Sequence, residues 1–318
     1  MLGSSKNILI LGGTGTLGRA LISKIEEIHP EWHITVFSRD EHKQAELKRS
    51  HRNVTCVLGD IRTESVYKVF RGKDIVFHVA ALKHIDILED NPWESVLTNI
   101  VATKVVADAA VSYGVKNFIF SSTDKAVDPV NVYGACKFIS EKYLFHLNKA
   151  QQGTRFAVYR WGNVLGSNGS VIPQFIKTLL NEQKIYITSP LMTRFWIPIE
   201  WAVQYMLRTY GESRPFSAMI PPTMKAATVP MVGRCVAQIL GVKDFKTEII
   251  GLRAGEKHHE ALSSQHEDNI RSDNVQMYTM DELTDLLTPI VKDLYDCSSR
   301  GKRLNGAKVS SPLKLVES

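Results

Sequence analysis

The stretch SSTDKAVDPVNVYGACK, Ser121 to Lys137, sets a tyrosine and a lysine four residues apart, Tyr133 and Lys137. Ten residues before that tyrosine stands Thr123, followed at once by a carboxylate and an amine, Asp124 and Lys125. A phenol with a reference pKa near 10 is a poor base at neutral pH, and a lysine one helical turn away lowers that value. Tyr133 could then take the proton of a hydroxyl as hydride leaves the same carbon, with Thr123 sharing the hydrogen bond to the hydroxyl. That chemistry is complete without Asp124 and Lys125, so the pair points to a second step. Once the hydroxyl has become a ketone, the hydrogen on the next carbon is acidic. Lys125 is the candidate base there, provided burial and neighbouring positive charge depress its pKa. Asp124 is the candidate acid, staying protonated long enough to expel a hydroxyl one carbon further on as water. The alternative is a surface ion pair in a loop.

These residues need a scaffold, and the first half of the chain supplies one. NILIL (Asn7–Leu11), HITVF (His33–Phe37), VTCVL (Val54–Leu58), DIVFHVA (Asp74–Ala80), NFIFSS (Asn117–Ser122) and RFAVYR (Arg155–Arg160) are β-branched or aromatic runs bounded by turn residues. Helical stretches such as LGRALISKIEEI lie between them. Strands alternating with helices predict an α/β fold, a doubly wound parallel sheet of Rossmann type. The predicted nucleotide-binding domain spans 1–165, with a segment at about 198–222 returning to it. The Gly- and Pro-punctuated remainder, 166–197 and 223–295, predicts a smaller substrate lobe at the carboxyl ends of the strands. Residues 296–318 read as a basic, flexible tail.

LILGGTGTLGRAL places Gly12, Gly15 and Gly18 between a strand and a helix, where a tight turn and a helix N-terminus cradle a pyrophosphate. A nicotinamide dinucleotide is the implied cofactor; its oxidised ring adds a positive charge beside Tyr133, and Lys137 would hold its ribose. The second strand ends not in a carboxylate but in Ser38 and Arg39, with Lys43 one turn on. A guanidinium fork suits a 2′-phosphate, which favours NADP over NAD. Asp40 and Glu41 stand against this, since either could turn inward, and Arg39 and Lys43 have a plain surface reading as well. Asp60, in GDIR after the third strand, either holds the adenine amino group or caps a turn.

The bulk composition narrows the field. With 318 residues, 44% hydrophobic and 23% charged, the chain reads as an ordinary globular protein. No apolar run approaches the roughly 20 residues that span a bilayer, and the early strand leaves no room for a signal peptide. Cys56, Cys136, Cys235 and Cys297 show no paired spacing, as expected of reduced thiols in the cytoplasm. His78, His84, His258 and His259 have no metal-ligand spacing, so no metal is expected. Most of the net charge of +6 lies in the tail, which carries Arg300, Lys302, Arg303, Lys308 and Lys314 against Glu317. A nucleic-acid partner is not expected. Trp196 and Trp201 read as core.

On these residues the chain resembles the extended short-chain dehydrogenase/reductase superfamily, and within it the soluble, carbon-5-inverting UDP-N-acetylglucosamine 4,6-dehydratases. The carriers run to about residue 275: GGTGTLG (Gly12–Gly18), SRDEHKQ (Ser38–Gln44), AALKHIDILEDNP (Ala80–Pro92), Thr98-Asn99, STDKAVDPVNVYGACK (Ser122–Lys137), RWGNVLGSNGSVIPQF (Arg160–Phe175), MTRFWI (Met192–Ile197) and GLRAGEKHHE (Gly251–Glu260). The resemblance implies that Asp124 is the acid, Lys125 the carbon 5 base and Tyr133 the hydride-step base. The sugar would be oxidised at carbon 4, lose water across carbons 5 and 6, and take hydride back at carbon 6. In the membrane-anchored, retaining relatives a methionine stands in place of the tyrosine, so Tyr133 fits the inverting group.

The resemblance also assigns binding residues. Thr14, Thr16, Leu17, Ile61, Ala80, Ala81 and Asn99 join the three glycines around NADP. Lys83 and His84 would lie under cofactor and sugar. Asn163, Val164, Ser170, Thr193, Arg194, Lys225, Arg253 and Glu256 would hold the UDP-sugar. Related enzymes assemble as homo-oligomers, dimers or hexamers. Departures from the family pattern are Trp161 for a tyrosine, Ala254 for a proline and an extra histidine in KHHE. The rival readings are a UDP-sugar 4-epimerase, which leaves Asp124 and Lys125 without work, an NADPH-consuming sugar reductase, and a non-catalytic NADP-binding protein.

Overall fold

The computed structural model describes residues 5–304 apart from Arg52, Asn168, Gly169, Ser213, Pro215, Phe216 and Gln265. The side chain of Cys297 and the tail from residue 305 lie outside the described residues. The first half is β1 (Asn7–Leu11), α1 (Thr16–Ile28), β2 (His33–Ser38), α2 (Glu41–Ser50), β3 (Val54–Leu58) and β4 (Ile75–His78). It continues with α3 (Ile85–Asp90), α4 (Pro92–Ser95), a π-helical turn Val96–Val101, α5 (Ala102–Ser112), β5 (Asn117–Ser121), α6 (Val132–Ala150) and β6 (Arg155–Tyr159).

The six strands pair in the order β3-β2-β1-β4-β5-β6, all parallel. Side chains alternate along each strand, so β1 sends Ile8 and Ile10 into one core and Leu9 and Leu11 into the other. Leu21, Ile22 and Ile25 of α1 cover the first face; Val106, Ala107 and Ala110 of α5 cover the second, with Leu144 of α6. Both faces are thereby dry, which is why the strands read as continuous apolar runs.

The second half is β7 (Asn163–Val164), α7 (Val171–Glu182), β8 (Lys184–Ile187), β9 (Thr193–Ile197) and α8 (Ile199–Thr209). It ends with β10 (Ala226–Thr228), α9 (Val229–Ile239), β11 (Lys246–Ile249) and α10 (Met280–Leu304). Val203, Met206 and Leu207 of α8 join the α1 side of the large sheet. The small sheets β10-β9-β7 and β11-β8 build a separate core with α7, α9 and α10, and Trp196 is buried in it. Two expectations change here. The tail does not begin at residue 296: α10, anchored by buried Leu283, Leu287 and Val291, carries its helix on to Leu304. And one helical stretch of 21 residues, Pro92–Ser112, is long and apolar enough to cross a membrane, with mean hydropathy 1.3 over an 18-residue window. Half of its window is buried, with Val106 and Ala110 packed against the sheet.

A buried ion pair ties the halves together. Glu141 of α6 receives Nε and Nη2 of Arg160, at 3.1 and 2.7 Å, and the Ser122 hydroxyl at 2.5 Å. Arg160 Nη1 donates onward to the carbonyl of Leu262 at 2.8 Å. Removing one partner strands a charge in the core, so Arg160→Met should cost about 3–5 kcal/mol in urea unfolding. The double change with Glu141→Leu should recover much of that loss. A single variant as stable as the parent chain would contradict it.

Candidate active site

The carboxyl end of the large sheet and the second core enclose a cleft of about 940 Å³. One wall is the turn after β1. Gly12 adopts φ +84°, and a Cβ there would lie 2.7 Å from the backbone of Ala80. A Cβ on Gly18 would meet the Cα of Gly13 at 2.5 Å. Only glycine lets the turn close this tightly and leave room outside it. Gly15 is the N-cap of α1 and has no side chain to cap it, and Gly15, Thr16, Leu17 and Gly18 line the cleft at that helix N-terminus. This cradle fits the pyrophosphate of a dinucleotide.

Farther along that wall the residues separate. Arg39 lines the cleft, half-exposed, with Nη1 3.6 Å from Asp60. The Ser38 hydroxyl is fixed by Gln44 at 2.9 Å. Asp40 does not turn inward, because its carboxylate caps α2 by accepting from the Lys43 amide and pairs with Lys43 Nζ at 2.9 Å. Lys43 is thereby engaged by Asp40 and is not among the residues lining the cleft. Asp60 takes the turn-capping alternative: Oδ1 accepts from the Arg62 amide and Oδ2 from its guanidinium. Thr14 and Ile61 are buried. Ala81 lines the cleft, and Asn99 serves it indirectly, its amide bonded to both the N–H and the carbonyl of Leu82.

Thr123, Asp124 and Lys125 follow β5 in a 3-10 turn, and Tyr133 opens α6, whose N-cap Asn131 accepts from the Gly134 amide. The turn and the helix touch: a Cβ on Gly134 would lie 2.2 Å from the Lys125 carbonyl oxygen. Asp124 is fully buried; its Oδ1 receives Lys125 Nζ at 2.9 Å and the Thr123 hydroxyl at 3.0 Å, while Oδ2 has no partner. Burial pushes its carboxyl upward; Lys125 opposes that and Glu260 adds to it. Burial alone would depress Lys125, but the attraction of Asp124 and Glu260 outweighs it. The expectation of a depressed Lys125 is therefore corrected: its ammonium is held charged. The Tyr133 phenol is likewise pushed up, to about 12, by burial, and the cation that partly offsets this is Lys125. Lys137 instead points Nζ at the Ser121 carbonyl, 2.6 Å away, above the Phe120 ring. Burial, offset in part by Glu141, pushes its pKa down to about 7.

Among the sugar-side expectations, Lys83, His84, Asn163, Val164 and Ser170 line the cleft, as do Arg253 and Glu256. Burial lowers the pKa of Lys83. Ser170 Oγ is buried without a partner, and Glu256 accepts from the Arg253 amide. Three residues do not reach the cleft. Arg194 is buried, with Nη1 and Nη2 spent on the carbonyls of Thr193, His258 and Lys257. Lys225 pairs with Glu282 at 2.7 Å. Thr193 bonds to His259 and Ser272. What the sequence reading missed is Glu260, 3.4 Å from Lys125, and Lys257, which donates to the Val127 carbonyl. Both stood inside GEKHHE, but nothing in that string tells that they fold onto residues 124 and 127. Among the described residues no group of three or more His, Cys, Asp or Glu side chains could hold a metal.

Lys137 generates a pH prediction. Its folded pKa of about 7 lies below its ordinary 10.5, so between those values the unfolded chain binds a proton that the folded one refuses. Stability from this group rises with pH across that window. Relative to Lys137→Met, the unfolding free energy of the parent chain should climb by about 1.4 kcal/mol per pH unit there. Urea midpoints measured at several pH values check it; parallel curves would refute it.

A family model described as polysaccharide biosynthesis protein matches residues 8–282. An inverting UDP-N-acetylglucosamine 4,6-dehydratase of Campylobacter jejuni is 40% identical over 277 residues, covering 84% of this chain and 80% of that protein. A UDP-glucose 4-epimerase of Rickettsia akari is 36% identical over 281 residues, 86% of this chain and 82% of the relative. The X-ray structure of Pen from Bacillus thuringiensis superposes with a TM-score of 0.85 at 32% identity, covering 92% of this chain and 99% of that one. With its six-stranded parallel sheet and second core, the chain has the extended short-chain dehydrogenase/reductase fold and belongs to the polysaccharide biosynthesis protein family.

Proposed function

We propose that this protein is a nucleotide-sugar 4,6-dehydratase that converts UDP-N-acetylglucosamine to a UDP-4-keto-6-deoxy sugar with inversion at carbon 5. The observation that carries this reading is the buried Asp124–Lys125 pair beside Tyr133, with Lys125 and Tyr133 both opening on the cleft. When bound, a nicotinamide cofactor supplies the hydride acceptor for carbon 4 and the donor for carbon 6. Around it, Tyr133 Oη exchanges the proton of the carbon 4 hydroxyl, steadied by Thr123 Oγ1. Asp124, its carboxyl pushed up by burial, gives its proton to the departing carbon 6 oxygen. Lys125 Nζ takes the carbon 5 proton. Once it holds the proton of the carbon 4 hydroxyl, the same phenol can return a proton to carbon 5 from the opposite face.

NADP is the cofactor we favour, because Asp40 is turned into the α2 cap and leaves Arg39 as the cleft-lining residue at the end of β2. Lys83 and Arg253 are the cations nearest to hand for a diphosphate. Homo-oligomerisation fits the exposed Ile87, Trp93, Val101 and Ile139, and a reducing cytoplasm fits the free thiols of Cys56, Cys136 and Cys235. The epimerase reading has the Rickettsia relative in its favour, yet it gives Asp124 and Lys125 nothing to do.

Incubation with UDP-N-acetylglucosamine in deuterated water decides between the two. Mass spectrometry and proton NMR should find loss of one water and deuterium at carbon 5, whereas an intact sugar epimerised at carbon 4 would make the epimerase the better reading. Asp124→Asn should slow water loss on the order of a hundredfold. Separately, Arg39→Ala should weaken NADP about tenfold or more while leaving NAD nearly unchanged; equal weakening of both would remove the 2′-phosphate role.

A further inference from the structure

Lys125 faces two carboxylates. Asp124 Oδ1 lies 2.9 Å from its Nζ and Glu260 Oε1 3.4 Å. Glu260 is buried, and its Oε2 has no hydrogen-bond partner. Two more cations stand off from it, Arg194 Nε at 3.9 Å and Lys257 Nζ at 3.8 Å. The short hydrogen bonds of both go to backbone carbonyls: Arg194 to Thr193, His258 and Lys257, and Lys257 to Val127. Glu260 is thus placed in positive surroundings and left with an oxygen free. The charged and titratable groups around Lys125 are Asp124 on its own turn, Tyr133 from α6, Arg194 from β9, and Lys257 and Glu260 from the loop before α10; Asp128 acts on Lys257.

We propose that Glu260 accepts a proton from Lys125 Nζ as Lys125 takes the proton of carbon 5, so that the base of the elimination is a two-residue relay. The inference rests on the dehydratase reading. It meets a difficulty that reading leaves: with Asp124 protonated, the anionic Glu260 3.4 Å away still holds Lys125 as an ammonium, and an ammonium cannot act as a base until it has discharged a proton. Asp124 cannot receive that proton, because it must keep its own for the leaving hydroxyl. In the balanced step a proton passes from Nζ to Glu260, and the C5–H bond breaks toward Nζ. The electron pair of that bond forms the C5=C6 double bond, the C6–O bond breaks, and the oxygen leaves as water with the proton of Asp124. The trio begins as Glu260 anionic, Lys125 cationic and Asp124 neutral; it ends with Glu260 neutral, Lys125 cationic and Asp124 anionic, the same net charge. Glu260 does not touch the sugar, so it is a positioning and proton-holding residue acting through Lys125.

The test follows deuterium entering carbon 5 of UDP-N-acetylglucosamine across a range of pH, using the full-length parent, Glu260→Gln and Glu260→Asp. Glutamine cannot take the proton, so exchange at neutral pH should fall on the order of a hundredfold while calorimetric binding of UDP stays as in the parent. Lys125 has then lost an attracting anion, so its pKa falls and it sheds its proton directly as pH rises. Glu260→Gln should therefore recover exchange toward alkaline pH, and Glu260→Asp should recover part of it at every pH. A merely structural role would lower exchange equally at all pH values, and that result, or parental rates in Glu260→Gln, would overturn the relay. The two readings fail differently. A parent chain that returns a carbon 4 epimer without carbon 5 deuterium overturns the dehydratase and the relay together; deuterium entering parent and Glu260→Gln alike overturns the relay alone.

Discussion

The Glu141–Arg160 pair is the constraint on which the site hangs. Desolvating two charges is costly, and the cost is offset only where every donor and acceptor finds a partner. Here the carboxylate takes the guanidinium through two nitrogens and the Ser122 hydroxyl besides, and the remaining guanidinium nitrogen finds the Leu262 carbonyl. That arrangement joins the helix bearing Tyr133 and Lys137, the end of β5, the end of β6 and the loop two residues beyond Glu260. Ser122 immediately precedes Thr123, so a rigid anchor sits one residue from the reacting groups.

Around that anchor the protein separates proton affinities within a few ångströms. Asp124 is pushed up and Glu260 pulled down, although both are buried carboxyls beside Lys125. The difference lies in the neighbours, since Arg194 and Lys257 attend Glu260 whereas Asp124 feels the second carboxylate as a repulsion. Such divergence between adjacent carboxyls is what assigns acid and base roles. Lys137, bonded to the Ser121 carbonyl at the same strand end, is depressed because its burial outweighs the attraction of Glu141.

The sheet, the glycine turn and the Thr123–Lys137 stretch were legible because each is local: a strand period, a tight turn, or groups within one loop and one helical turn. Cations at a distance were not. Arg194 reads in MTRFWI as a free guanidinium, but residues 257 and 258 supply carbonyls that use it up. Lys225 meets Glu282 because the segment that enters α10 bonds to Ala226 of β10 through Gln276 and Tyr278. Asp60 carried two readings, and its bonds to Arg62 show the turn cap. Glu260 carries no signal of its own in the string, because its significance is a position in space. Proximity across well over a hundred residues is written in packing, and packing has no period to count.

The carbonyl of Gly255 accepts from Asn131, the N-cap of α6, just as Lys257 reaches the Val127 carbonyl. These two bonds bring Glu260 home, and they span 124 and 130 residues of chain. A ribosome releasing this protein therefore completes the sheet, the glycine turn and the tyrosine long before the second carboxylate has left the exit tunnel. The nascent enzyme holds its redox half early and its proton inventory last, so half-made chains lack the full apparatus for eliminating water from a nucleotide sugar.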